Sequence, residues 1–413
     1  MKPAVAIVGG GAAGLFAAVT AAKAGAKVTV LEKADRVGRK LLATGNGRCN
    51  LTNLRAAAAD YHTDCPAAVK AVLEQLPPAQ AVARFKQIGL LCREEEEGRV
   101  YPYSAQAAAV LDRLRFACAH LGVETENGIS VKSIEKSADG FLLTDETGRR
   151  VRAGRVLLAA GGAAAPQLGG SSDGCRLLER FGHTVTPLTP ALTPVKTDPA
   201  RVKPLKGVRV RAAVTLFIDG TPGPRELGEV QFTEQGLSGI AVMQLSSRIG
   251  ADTKGKHSFA LSLDLMPDFT REEVHRLLTG RLSYAGEELV SDFMIGLLPK
   301  RVGQMAAKEA GACLSQPAGS LPGGVWDKLA RTLKDWRFEA KGTLSWPQAQ
   351  VMAGGARLCE FDPYTLQSNR VVGLYAAGEV LNVDGPCGGY NLQWAWASGF
   401  AAGRGAATEG NRT

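Results

Sequence analysis

The opening segment "AVAIVGGGAAGLFAAVTAAKAGAKVTVLEK" (4–33) restricts the fold of this chain more tightly than any other stretch. A short apolar run leads into a glycine cluster, an alanine-rich stretch and a second apolar run. That is the order strand, turn, helix, strand of a βαβ unit. Gly9, Gly11 and Gly14 form G-x-G-x-x-G, and Glu32 ends the second strand, eighteen residues beyond Gly14. In such a unit the first glycine permits the tight turn, the second admits a pyrophosphate, and the third lets helix pack on strand. The helix N-terminus offers free N–H groups and positive potential to phosphates. Glu32 suits a ribose diol. The fingerprint predicts a dinucleotide site and leaves nicotinamide and flavin equally open.

Three prolines in "PLTPALTP" (187–194) interrupt the pattern and mark a domain boundary. Beyond it, "GVRVRAAVTLFIDG", "ELGEVQFT" and "HSFALSLDLMP" read as strands, with one helix predicted from Leu237 to Ile249. A helical period runs from Phe269 to about Leu333, and strand character returns after "RFEAKGTLSW". "VVGLYAAGEV" (371–380) repeats the buried strand followed by glycine, and "GGYNLQWAWASGFAAG" reads as a closing helix. Before the boundary, Ser104 is the expected N-cap of a helix reaching Leu121. The expected fold class is α/β. A Rossmann-like domain (1–190 and 352–413) is built from both chain ends, with an inserted β-rich, barrel-like domain (191–267 and 335–351) carrying a helical subdomain (268–334).

The chain has 413 residues, 45% hydrophobic and 22% charged, with a net charge of +9. The excess cations are dispersed, so the expected partner is a small anionic or polar molecule, with neither nucleic acid nor membrane. Eight cysteines stand without a CxxC or Cys/His cluster, which predicts no metal site and reduced thiols in a cytoplasmic protein. Five histidines form no ligand spacing or triad, and His183 reads as a helix-end residue. Oligomeric state is not legible.

The segment "KLLATGNGRCNLTN" (40–53) concentrates glycines, asparagines, an arginine and a cysteine in one irregular loop. Gly45 and Gly47 allow close backbone approach, while Thr44, Asn46, Arg48 and Asn50 offer donors. A flavin, with its ribitol chain and ring carbonyls, would use such a strip. A ligand-free surface loop of Asx turns fits the same composition equally well.

Five separated motifs then resemble one family: "GRKLLATGNGRCNLTN", "GRVYPYSAQA", "AAGGAAAPQLGGSSDG", "GEVQFTEQGLSG" and "GLYAAGEVLNVDGPCGGYNLQWAWASG". The chain resembles the BaiN/YhiN-type bacterial FAD flavoproteins, which include aminoacetone-oxidase-like proteins and reductases of 3-oxo-unsaturated bile acids. The resemblance implies FAD phosphates on Gly9, Gly11, Ala12, Ala13 and Gly14, and the adenosine ribose on Glu32. It implies Arg39 and Lys40 near the adenosine and phosphates, and Val131 beside adenine. Thr44, Gly45, Asn46, Ala160, Gly161, Gly378, Glu379 and Asp384 would border the phosphates, ribitol and ring. Gly389, Tyr390, Asn391, Leu392 and Gln393 would open the last helix against the flavin, where a helix N-terminus stabilises the reduced ring's negative charge. Trp394 and Trp396 read as core packing. Three positions depart from the family pattern: Ile240 where proline is usual, "MAGGA" at 352–356, and Ser368-Asn369 for "SK".

The resemblance implies an FAD-dependent oxidoreductase in which NADH or NADPH reduces the flavin and the flavin reduces a conjugated carbonyl compound such as a bile-acid or steroid enone. Arg48, Tyr101 and Tyr103 are the candidate donors to the carbonyl oxygen. Two alternatives share every cofactor motif: an oxygen-using amine or aminoketone oxidase, and a flavin-containing RNA-modification or RNA-binding protein. Cys49 and Cys387, each in a flavin-proximal motif, form a candidate thiol–disulfide pair.

Overall fold

A computed structural model describes residues 4–252 and 255–408. It divides into two compact units, residues 1–190 with 349–413, and residues 191–348. In the first unit, β1 (Ala4–Val8), α1 (Ala12–Lys23) and β2 (Lys27–Glu32) form the predicted βαβ arrangement. The parallel sheet has the order Leu374–Ala376, Arg155–Leu158, β1, β2, Glu124–Asn127. Its central strands are apolar and buried because helices cover both faces of such a sheet. Glu124–Asn127 is polar and partly exposed, and is a strand only because β2 supplies its ladder.

The last helix, Tyr390–Ala407, packs directly along α1. A Cβ added at Gly399 would lie 2.6 Å from the Ala13 carbonyl oxygen, and one at Gly403 would lie 2.5 Å from that of Ala17. Residue numbers rise together across the contact, so the helices run parallel with backbones touching. Small residues four apart on both helices, Ala13 and Ala17 against Gly399 and Gly403, make that approach possible. Trp394 and Trp396 are buried in the unit's core, their indole N–H groups donating to the carbonyls of Gly378 (3.1 Å) and Leu51 (2.7 Å).

The second unit holds a six-stranded antiparallel sheet built on the hairpin Arg209–Ile218 and Thr221–Phe232. The edge strand Val195–Lys196 meets the chain just beyond the opposite edge, Trp336–Ala340. Lys341 N–H donates to the Lys196 carbonyl and Lys196 N–H to that of Gly342, each at 2.8 Å. These bonds nearly close the sheet into a barrel. Phe232, Trp336 and Phe338 pack ring to ring on its buried face, 5.0 to 6.2 Å between centroids. The helices between Arg271 and Lys334 bury Val274, Leu278, Trp326 and Leu329 in the same apolar cluster. Strands and helices thus share one core.

Several local expectations need correction. The helix after Ser104 is Ala107–His120, with Gln106 at its N-cap. Ser104 cannot cap it because the left-handed Ala105 (φ 52°) turns the chain between them. Leu237 belongs to a short strand, Gly236–Ser238, and the helix starts after Gly239 (φ 98°) at Ile240. Ile240 is therefore the first helical residue, the position where a proline costs nothing, which accounts for the family's usual residue there. His183 follows the helix Asp173–Arg180 as expected, but its side chain is a buried pin. It stacks on Phe361 at 4.5 Å and bonds Glu360 and Ser368, each at 2.8 Å.

The helix contact generates a stability prediction. Gly403→Leu forces bulk onto the Ala17 backbone and lowers unfolding free energy by at least the ~1–3 kcal/mol typical of overpacking, measured by urea denaturation. A variant as stable as the parent would show that the helices do not touch there.

Candidate active site

The carboxyl ends of three adjacent parallel strands supply the site's floor. β1 runs into Gly9, Arg155–Leu158 into Ala159 and Ala160, and Leu374–Ala376 into Gly378 and Glu379. Ligands of open α/β sheets bind at this edge. Gly9 (φ 106°) presses on the second turn, since its Cβ would stand 2.4 Å from the Ala159 carbonyl oxygen. Gly11 has open space where a side chain would be, immediately before the unpaired N–H groups of α1. Ala12 and Ala13 are the first helical residues there, and Gly14 closes on the Gly9 carbonyl.

Glu32 stands at the end of β2, its carboxylate accepting from the N–H groups of Gly10 and Ala34, both at 2.8 Å. The Ile129 N–H bonds the Glu32 carbonyl, which brings the start of the Val131–Ser137 strand, and so Val131, beside this end. Arg39 reaches the Gln167 carbonyl at 3.2 Å.

Lys40 and Glu379 meet each other, at 2.8 Å. Glu379 also accepts from the N–H groups of Gly162 (3.1 Å) and Met352 (2.8 Å). The pair thus braces the turn containing Ala160 and Gly161 against the segment after the last parallel strand. Such charge-assisted bonds are the strong ones in a half-buried setting.

The loop 44–53 closes tightly on itself. Thr44 donates to the Leu41 carbonyl at 2.6 Å, Gly45 and Asn46 are left-handed, and the Cys49 N–H returns to the Thr44 carbonyl. Its far end docks on the start of the last helix. Asn53 donates to the Gly388 carbonyl at 3.1 Å, and a Cβ at Gly389 would fall 2.5 Å from Thr52. Asn391 clamps Gly385 through both amide atoms, at 2.9 and 2.8 Å, and Tyr61 donates to the Tyr390 carbonyl. Leu392 follows in the helix's first turn. Asp384 is buried and pairs with His62 at 3.0 Å.

Gln393 departs from its expected place at a ring. Its side chain is fully buried, accepting from Thr52 and donating to the Leu76 carbonyl, each at 2.7 Å. It seats the helix. Among the candidate donors, Arg48 and Tyr101 come together, the guanidinium 4.3 Å over the ring, with Glu95 at 2.6 Å from Arg48. Tyr103 lies beyond the strand Arg99–Pro102, largely exposed, with Arg93 5.6 Å over its ring.

These residues fit an extended dinucleotide. The parallel helices put both N-termini on one side, and the Ala13–Gly399 register starts the last helix about 12 Å beyond α1 at 1.5 Å per residue. The Asn50 Oδ1 atom, close by Gly389, is buried without a hydrogen-bond partner, as an acceptor waiting for a donor would be.

Sequence comparison agrees. The family described as HI0933-like protein Rossmann domain matches residues 3–405. The chain belongs to this family. It is an FAD-dependent oxidoreductase of the BaiN/YhiN type. It is 36% identical, over 98% of each chain, to a 3-dehydro-bile acid delta(4,6)-reductase of Clostridium scindens. It is 31% identical, over 96% of each, to a ribosomal RNA dihydrouridine synthase of Escherichia coli. Among solved structures, a 3-ketosteroid-delta4-(5alpha)-dehydrogenase from Rhodococcus jostii shares the fold at TM-score 0.51 and 18% identity, covering 98% of this chain and 96% of that one.

Cys49 is wholly buried, and burial pushes its thiol up to about 12. Cys387 contacts Gln350 through its sulfur. Burial holds Cys49 as the neutral thiol and closes it to a reagent, so exchange chemistry there is suppressed. Iodoacetamide at pH 8 will alkylate exposed Cys313, whose thiol a Ser315 hydrogen bond pulls down, and spare Cys49 in the folded protein. Peptide mapping that finds Cys49 labelled as fast as Cys313 would restore the redox pair.

Proposed function

We propose that this enzyme reduces a carbon–carbon double bond conjugated to a carbonyl, taking electrons from NADH or NADPH, with 3-oxo steroid or bile-acid enones as its substrate class. The observation that carries the reading is the full-length similarity to the bile-acid reductase. The net reaction moves hydride from the nicotinamide to the electron-poor carbon and a proton to its neighbour, and bound FAD supplies the hydride relay.

The chain's own residues bind and polarise. In this reading the N–H groups opening α1, with Gly9, Gly11, Ala12, Ala13 and Gly14, hold the diphosphate, and Glu32 with Val131 receives the adenosine. Ala160, Gly161 and Gly378 flank it, braced by Lys40 and Glu379. Thr44, Gly45, Asn46, Gly389, Tyr390 and Asn391 border the ring. Arg48, with most of its guanidinium donors still open beside Glu95, polarises the substrate carbonyl, and Tyr101 holds it in plane.

A second reading has its own support. Uridine also carries a double bond conjugated to a carbonyl, and the Escherichia coli relative is named for making dihydrouridine in ribosomal RNA. The segment 201–211 carries Arg201, Lys203, Lys206, Arg209 and Arg211, but Glu309, Glu234, Glu229 and Asp268 pair with all of these except Lys203, so this reading rests on the relative and not on a free basic patch.

Anaerobic titration of the purified yellow protein with NADH and NADPH decides between the readings. Bleaching by either, reversed by a 3-oxo-Δ4 steroid, is expected, with Arg48→Gln slowing reoxidation about a hundredfold at unchanged flavin content. Failure of both nicotinamides to bleach it defeats the reductase. Reoxidation by ribosomal RNA and not by steroid selects the second reading, and reoxidation by oxygen alone with amine turnover selects an oxidase.

A further inference from the structure

The first unit has a cavity of about 330 Å³ at the opposite end of α1 from the glycine turn. That size lies at the lower end of the ~300–1,000 Å³ usual for small-molecule sites. Phe16, Val19, Ile88, Leu114 and Phe400 form apolar walls, and Lys23, Arg84 and Arg404 surround them. No carboxylate lines it. Among the described residues none of the three cations has a carboxylate partner: Arg84 lies 4.4 Å over the Phe400 ring, and Arg404 donates to the neutral Gln75 amide.

Each of the three lining cations stands in the last turn of its helix or at its end: α1, Pro78–Gln87 and Tyr390–Ala407. A helix C-terminus favours a cation, so part of this charge has a structural reason. The three dipoles together contribute about −1.5 elementary charges against +3 on the side chains, leaving roughly +1.5 unbalanced. Elsewhere the chain pairs its surface cations freely, as at Arg149–Glu126 and Lys300–Asp292. Here it gathers them around an apolar hollow and leaves them unanswered.

We infer that this cavity is a second ligand site, taking an amphipathic monocarboxylate: an aliphatic or alicyclic body against Val19, Ile88 and Phe400, and a carboxylate among Lys23, Arg84 and Arg404. It is separate from the dinucleotide edge. Lys23 ends the helix that Ala12 begins, about 16 Å away along its axis at 1.5 Å per residue. The site rests on the same pair of parallel helices.

Isothermal titration of the FAD-loaded full chain with decanoate tests this, with decan-1-ol as the uncharged probe. Decanoate is expected to bind one to one, decanol at least tenfold more weakly. The double variant Lys23→Gln, Arg84→Gln is expected to weaken decanoate about tenfold with flavin absorbance per chain unchanged. No saturable decanoate binding, equal binding of decanol, or an unaffected double variant overturns the proposal. Flavin content is read in the same samples, so failure here is distinguishable from failure of the cofactor reading.

Discussion

The backbone contact between α1 and the last helix is the constraint on which the first unit depends. Ala13 and Ala17 meet Gly399 and Gly403 with no room for another carbon, so segments almost four hundred residues apart become one rigid element. Because the contact is parallel, it directs two helix N-termini to the same side of the sheet. An isolated βαβ unit offers one anion-binding helix end. Here the second is set beyond the first, as a long nucleotide with charge at two places along its length requires.

Polar residues of the loop 44–53 then lock that second helix end. Asn53 holds Gly388, Thr52 and the buried Gln393 share a bond, and Asn391 fastens the turn before the helix. Such a network is stable only when complete, since each unpaired buried amide would cost a hydrogen bond's worth of desolvation. Asn50 Oδ1 is the one buried side-chain polar atom of this group left without a partner. The motif's asparagines divide their labour: Asn53 builds the wall, and Asn50 presents a buried acceptor without a donor.

Much of this was legible in sequence where one physical requirement fixes one residue type. The glycine turn, its flanking strands and Glu32 follow from the fingerprint's geometry, and the buried runs at 156–158 and 374–376 from unbroken apolarity. Other features were hidden because their causes lie far away in the chain. Glu124–Asn127 has no strand pattern of its own and is ordered by β2. Gln393 read as a site residue and His183 as a helix end because a sequence does not reveal that Leu76, Thr52, Glu360 and Ser368 will enclose them. Likewise Lys40 and Glu379 each suggested an anion or ribitol contact, whereas their mutual bond joins positions 339 residues apart. The barrel-like unit shows the reverse case: alternation in 209–232 is readable directly, and its near closure through Lys196 and Gly342 is not.

In the proposed function one FAD molecule engages both helix starts at once. Hydrogen–deuterium exchange of the deflavinated protein across an FAD titration tests it most directly. Backbone amides in 10–14 and 389–393 are expected to gain protection together, with the same midpoint. Protection confined to the first segment, with 389–393 exchanging as before at saturating FAD, would contradict it.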